Sequence, residues 1–222
     1  MIAPDSRSGG RLLAFMGLPG SGKSTTAAAL ARLIRGSTLY LEPEEPSWPT
    51  AVMRRDVLGC FSAITWFRAM RVPQLYTAAT DRRDGKFAIV DSYYDKLISY
   101  YIEHPHLKWL IPPTEPYLRV LKEMSAIDSQ LLPDADCIIF LQVTLDQWKA
   151  RLRQRGREMD SDALFLSSFP TQEAFLAASR TFSVNSGASL VLVDEGLDSP
   201  ETTAIHIISQ LRRLKLVEDA GS

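Results

Sequence analysis

Short, unbroken apolar runs alternate along the chain with longer amphipathic stretches, and the length of each run decides what it forms. Leu12-Leu13-Ala14-Phe15-Met16, inside residues 11–17, has no polar position to turn toward water. That pattern predicts a strand buried on both faces of a parallel sheet. Four more such runs follow, over residues 38–41, 87–90, 137–141 and 190–193. Apolar positions at helical spacing predict helices over 23–35, stopped by Gly36, and over 51–82, where Pro73 divides the stretch into two bent helices. Further helices are expected over 93–103, 117–132, 146–157, 172–182 and 199–214, with a proline-rich crossing over 104–116 and a mobile loop over 158–170. Five apolar strands alternating with helices specify an α/β fold, a five-stranded parallel sheet flanked by helices on both faces. In such a sheet ligands bind beyond the carboxyl ends of the strands.

Composition narrows the picture. A chain of 222 residues with 45% apolar content, four Trp, nine Phe and seven Tyr can bury one sizeable core. One domain over 11–222 is expected, preceded by a flexible tail over 1–10. The formal net charge of −1 offers no general attraction to nucleic acid or anionic lipid, so a small anionic ligand suits it better. Cys60 and Cys137 lie in no metal or redox pattern and read as buried thiols in a reducing compartment. Residues 1–10 carry no apolar run, so neither a leader nor a membrane span is expected, and the expected location is cytoplasmic.

The chemistry begins at Gly17-Leu18-Pro19-Gly20-Ser21-Gly22-Lys23-Ser24, which satisfies G-x-x-x-x-G-K-[ST] between a buried strand and an Ala-rich helix. Its glycines let successive N–H groups face phosphate oxygens, and the following helix adds its positive end. ATP with Mg²⁺ is the expected ligand. Gly17 to Thr25 should hold the triphosphate, with Lys23 on the β- and γ-phosphates and the Ser24 hydroxyl on magnesium. Such a loop does not by itself separate a kinase from a GTPase or a motor. No Asn-Lys-x-Asp guanine motif follows a strand, however, and the chain is short for a motor.

Two strands end in carboxylates. Asp91 after Phe87-Ala88-Ile89-Val90 reads as a magnesium ligand or as a helix N-cap, and Glu42 reads as a base toward an acceptor hydroxyl or as a solvated loop acid. Arg151, Arg153, Arg155 and Arg157 around Gly156 read as a lid over about 151–170, with Arg151 and Arg155 on ATP and Arg153, Arg155 and Arg157 acting in transfer. A solvated basic helix face is the alternative. Trp48, Phe67, Arg68, Arg71, Gln74 and Tyr93 form a mixture suited to a planar acceptor, although plain core packing accounts equally well for any one aromatic residue.

Taken together, the phosphate loop through Thr25, the pair Glu42-Pro43 with Trp48 nearby, Asp91 at a strand end and Arg151-Leu152-Arg153-Gln154-Arg155-Gly156-Arg157-Glu158 resemble the deoxynucleoside kinases and their relatives the thymidylate kinases. The resemblance spans residues 11 to about 194. It implies a five-stranded P-loop fold, ATP as donor, Glu42 as the base toward a 5′-hydroxyl, and lid arginines on the phosphates. In that family an arginine follows the acidic residue of the third strand, whereas here the sequence is Asp91-Ser92-Tyr93-Tyr94. Arg68 or Arg71 is the candidate to reach the same place; otherwise the acceptor is a different hydroxyl compound. The expectation is a kinase acting on a small acceptor, a nucleoside first. A nucleoside monophosphate, a sugar, an antibiotic or a modified base stand as alternatives, and a nucleotide-gated regulatory module stands outside enzymes. Aromatic helices of this kind also raise the expectation of a homodimer.

Overall fold

A computed structural model describes residues 9–194 and 199–217. Apart from Gly9 and Gly10, the tail expected over 1–10 lies outside the described residues. Five strands form: β1 (Arg11–Gly17), β2 (Thr38–Tyr40), β3 (Phe87–Val90), β4 (Cys137–Leu141) and β5 (Ser189–Val193). They make one parallel sheet in the order β2-β3-β1-β4-β5. The apolar run of β1 serves both sides of this sheet. Leu12, Ala14 and Met16 enter one core and Leu13 and Phe15 the other, as the two-residue period of a strand requires.

The helices are α1 (Lys23–Leu33), α2 (Thr50–Met53), α3 (Arg55–Leu58), α4 (Cys60–Arg83), α5 (Tyr94–Leu97), α6 (Leu118–Leu131), α7 (Leu145–Arg155), α8 (Ala163–Leu166), α9 (Thr171–Ser186) and α10 (Pro200–Arg213). On one face α1 and α10 bring Ala27, Leu30, Ile207 and Leu211 against Leu13 and Phe15. The opposite face is covered by α4 to α9, which contribute Ala78, Leu97, Leu121, Trp148, Phe165 and Phe175. Each such side chain, fully buried, adds about 1.5–3 kcal/mol for the larger apolar residues.

Several expected boundaries move. The helix over 51–82 does not bend into two at Pro73: α4 runs through it for 24 residues. Pro73 lies on the exposed side, and the packing of Ile64, Leu75 and Ala78 on the other side outweighs the roughly 3 kcal/mol that an interior proline costs. The division falls instead at Gly59, just before α4. There the buried Glu115 carboxylate accepts the Cys60 N–H at 2.9 Å and the Tyr117 N–H at 3.4 Å, so a distant segment caps the helix. The helix expected over 93–103 is confined to α5 and one further turn at Ile98–Tyr100. Residues 158–170, expected as a loop, hold a helical turn at Glu158–Ser161 and α8, whose first N–H groups are capped by Asp162. Both cysteines are free and buried. No helix among the described residues is long and apolar enough to cross a membrane.

Candidate active site

β1 runs directly into the phosphate loop, and two glycines make its coil possible. At Gly17, with φ near 142°, a Cβ would lie 2.6 Å from the Leu141 carbonyl oxygen. At Gly20, with φ near 82°, it would lie 2.5 Å from Leu152 Cδ2. The loop is pinned from outside as well: the fully buried Trp148 indole of α7 donates to the Pro19 carbonyl at 2.7 Å, and the Tyr94 hydroxyl donates to the Gly17 carbonyl at 2.6 Å. Leu18 is buried beneath the loop, and the Thr25 hydroxyl turns back to the Gly22 carbonyl at 2.9 Å. Ser21 Oγ is buried without a hydrogen-bond partner among the described residues. An orphaned hydroxyl in a glycine-rich loop at a helix N-terminus fits a site that a phosphate completes.

Lys23 is folded into this cradle, donating to the carbonyls of Leu18 at 2.9 Å and Gly17 at 3.3 Å. Its ammonium also stands 5.2 Å from the centre of the Tyr94 ring. Burial lowers its pKa to about 8, against the opposing pull of Glu42 and Asp91.

The strand order explains how the carboxylates meet. β3 lies between β1 and β2, so the ends of all three share one rim. Ser24 Oγ donates to Asp91 Oδ2 at 2.6 Å, and the Glu42 N–H donates to Asp91 Oδ1 at 2.8 Å. Asp91 is almost completely buried. Burial and the neighbouring Glu42 charge push its carboxyl up to about 6, although the bonds from Ser24 and Glu42 pull the other way. A cation at Asp91 would reverse that shift. Paired hydroxyl and carboxylate oxygens are the donors that a hard ion such as Mg²⁺ takes, so the pair fits the metal implied by the loop.

Beside this pair Arg71 is the organising residue. Its Nη1 donates to Glu42 Oε1 at 2.7 Å, while Nε and Nη2 grip Asp95 at 2.6 and 3.0 Å. Burial opposes its charge, but the Asp95 and Glu42 carboxylates outweigh burial and hold its pKa above the ordinary value. Its guanidinium also lies 5.4 Å from the Phe67 ring, which packs edge-on against Trp48 at 5.4 Å. Gln74 lines a pocket with Arg71, Asp91, Ser92 and Asp95.

Two of the expected acceptor residues hold partners in the interior. Arg68 is committed to the buried Asp128 of α6 through two bonds of 2.5 and 2.6 Å. Tyr93 is 2% exposed; its hydroxyl donates to Pro133 and accepts from the Ala135 N–H, and its ring meets Phe182, so it packs as a core strut while also lining the Gln74 pocket. Lys96, next to Asp95 in the chain, turns away to Asp134 and the Leu132 carbonyl.

The arginine run divides three ways. Arg151 bonds the Ser21 carbonyl, and Arg155 pairs with Asp160; both lie against the phosphate loop. Arg157 instead reaches the loop between β2 and α2, 3.1 Å from Glu45 Oε2 and 5.0 Å from the centre of the Trp48 ring. Arg153 is exposed on α7. No motif singles out Tyr94, Trp148 or Asp160: the first two meet the loop through partners far away in the chain, and Asp160 meets Arg155 five positions back only because the chain turns after α7. Trp148 and Leu152, four apart on a basic helix, are the one local sign that α7 buries a face against the loop.

No family model matches the chain, and no curated protein sequence matches it. Solved structures do. A thymidylate kinase from Candida albicans, described as having broad substrate specificity, superposes with a TM-score of 0.63 at 21% identity, covering 95% of this chain and 96% of that one. A deoxyadenosine kinase from M. mycoides with bound dATP superposes with a TM-score of 0.67 at 19% identity, over 90% and 99%. The same enzyme with the products dCMP and dCDP gives 0.55 at 13%. A single parallel sheet in the order β2-β3-β1-β4-β5, with a glycine-rich loop at the end of β1, thus gives this chain the fold of the P-loop thymidylate and deoxyadenosine kinases.

Proposed function

We propose that the chain is an ATP-dependent kinase that transfers the γ-phosphoryl group to a hydroxyl of a small acceptor, a nucleoside first. The observation that carries this is Glu42, a carboxylate held 2.7 Å from Arg71 on the same rim as the phosphate loop and the Ser24–Asp91 pair. A positioned carboxylate suits removal of a proton from an attacking hydroxyl. Arg71, bonded to Glu42 beside Asp91, is the guanidinium on this rim that would serve in place of an arginine after Asp91. Two carboxylates, Glu42 and Asp95, surround that one guanidinium, and this balance favours a neutral hydroxyl over an incoming phosphate.

Lys23 and the loop N–H groups would hold the triphosphate, and Arg151 and Arg155 would stabilise its charge. Ser24 and Asp91 would hold Mg²⁺, which when bound neutralises charge on the β- and γ-oxygens. Trp48 and Phe67 offer aromatic faces to a base, Arg71 and Gln74 offer donors to its edge, and the Arg157 flap excludes water. A nucleoside monophosphate is the second reading, favoured by the Arg157 guanidinium over the acceptor loop. Of the non-enzymatic alternatives, a nucleotide-gated module predicts ATP binding without any acceptor-dependent ADP release.

A screen of nucleosides, then monophosphates, for ADP release and a product heavier by one phosphoryl group tests the reading. Glu42→Gln is expected to lower transfer to a hydroxyl by about 100-fold or more while ATP affinity stays within about threefold. Full activity in that variant would remove Glu42 from the chemistry, and absence of any stimulating acceptor would favour the module.

A further inference from the structure

We propose that Asp160 is the positioning residue for Arg155, fixing its guanidinium over the phosphate loop before any nucleotide arrives. The inference rests on the kinase reading above. Asp160 belongs to no motif; it stands on the turn Glu158–Ser161 that follows α7, and it is 7% exposed. Both of its carboxylate oxygens are used on one edge of Arg155: Oδ2 accepts from Nε at 2.8 Å, and Oδ1 accepts from Nη2. Oδ2 also accepts the Arg157 N–H at 3.3 Å, which ties the carboxylate to the backbone of the flap.

A guanidinium is a rigid plane, so an edge held by a carboxylate fixes the direction of the opposite edge. That opposite edge faces the loop. Arg155 Cζ and Nη1 both lie 3.6 Å from where a Cβ on Gly20 would stand. Gly20 therefore leaves the space into which Nη1 projects, and Asp160 sets the approach. The carboxylate is itself committed, because a buried acid without its cation would be strongly disfavoured. Asp160 thus does for Arg155 what Asp95 does for Arg71. In both pairs a buried acid grips the Nε edge, leaving Nη1 for Glu42 in one case and for the phosphate cradle in the other.

The test is a double-mutant cycle on nucleotide affinity, read by calorimetry with a magnesium complex of a non-hydrolysable ATP analogue. Arg155→Ala is expected to weaken binding about tenfold, and the near-isosteric Asp160→Asn about fivefold. The double variant is expected to bind no more weakly than Arg155→Ala, within about twofold, and Asp160→Glu to recover part of the loss. Tighter binding by Asp160→Asn would overturn the proposal, because it would mean that the carboxylate only screens the arginine. Additive losses would overturn it too, because Asp160 would then act without Arg155. If Arg155→Ala binds normally, the phosphate role of the flap fails and this inference with it. If the wild-type chain binds no nucleotide, the kinase reading itself fails.

Discussion

Lys23 sits in its cradle with its charge disfavoured. Its pKa falls from 10.5 to about 8 on folding, so below pH 8 both folded and unfolded chains are protonated there and the folded state carries the whole penalty. As pH rises from about 8 to 10.5 the folded lysine gives up its proton first, and the penalty is relieved. At 1.36 kcal/mol per pH unit the cost is about 3 kcal/mol. Lys23→Met is therefore expected to raise the unfolding free energy at pH 7 by about 1–3 kcal/mol in denaturant titrations while abolishing nucleotide binding. A polyphosphate restores the charge, so nucleotide binding by the wild-type chain above pH 8 is expected to take up a proton. Calorimetry in buffers of different ionisation enthalpy would detect that uptake, and apparent enthalpies equal in all buffers would contradict it. These residues were legible in the sequence because G-x-x-x-x-G-K-[ST] is a local pattern. Asp95 and Asp160 were not, because their significance comes from which arginine the fold sets against them, and neither spacing nor residue type encodes that pairing.

At the scale of elements, the five strands and most helices were legible because each apolar run fits one period and one length. The misplaced break at Pro73 has a physical cause: an interior proline is a strong local signal, and tertiary burial of Ile64, Leu75 and Ala78 overrides it. Replacing it tests that account. Pro73→Ala should return about 3 kcal/mol of helix cost but lose up to about 1 kcal/mol through a freer unfolded chain. A net gain near 2 kcal/mol in the unfolding free energy from denaturant titration is the expected result; no gain would mean that α4 is bent to suit the proline. The segment after α7 makes a second case. Arg157 spans from beyond α7 to Glu45 and Trp48, so Glu45→Ala is expected to speed tryptic cleavage after Arg157 severalfold, and an unchanged rate would show that this contact does not hold the segment in place.

For the molecule as a whole, stability and function part company at two arginines three positions apart. Arg68 and Arg71 look equivalent in sequence, yet one faces Asp128 in the interior between α4 and α6 and the other faces the rim. Arg68→Ala strands the buried Asp128 carboxylate, a loss of about 3–5 kcal/mol. For a chain of this size that corresponds to a fall of roughly 10 °C in the thermal midpoint, with nucleotide affinity unchanged; a drop in affinity without the thermal loss would move Arg68 to the acceptor side. The bond from Trp148 to Pro19 has a mechanical consequence. Because the root of the arginine segment is fastened to the glycine-rich loop itself, the two behave as one piece, and a displacement of either should be felt at once by the other.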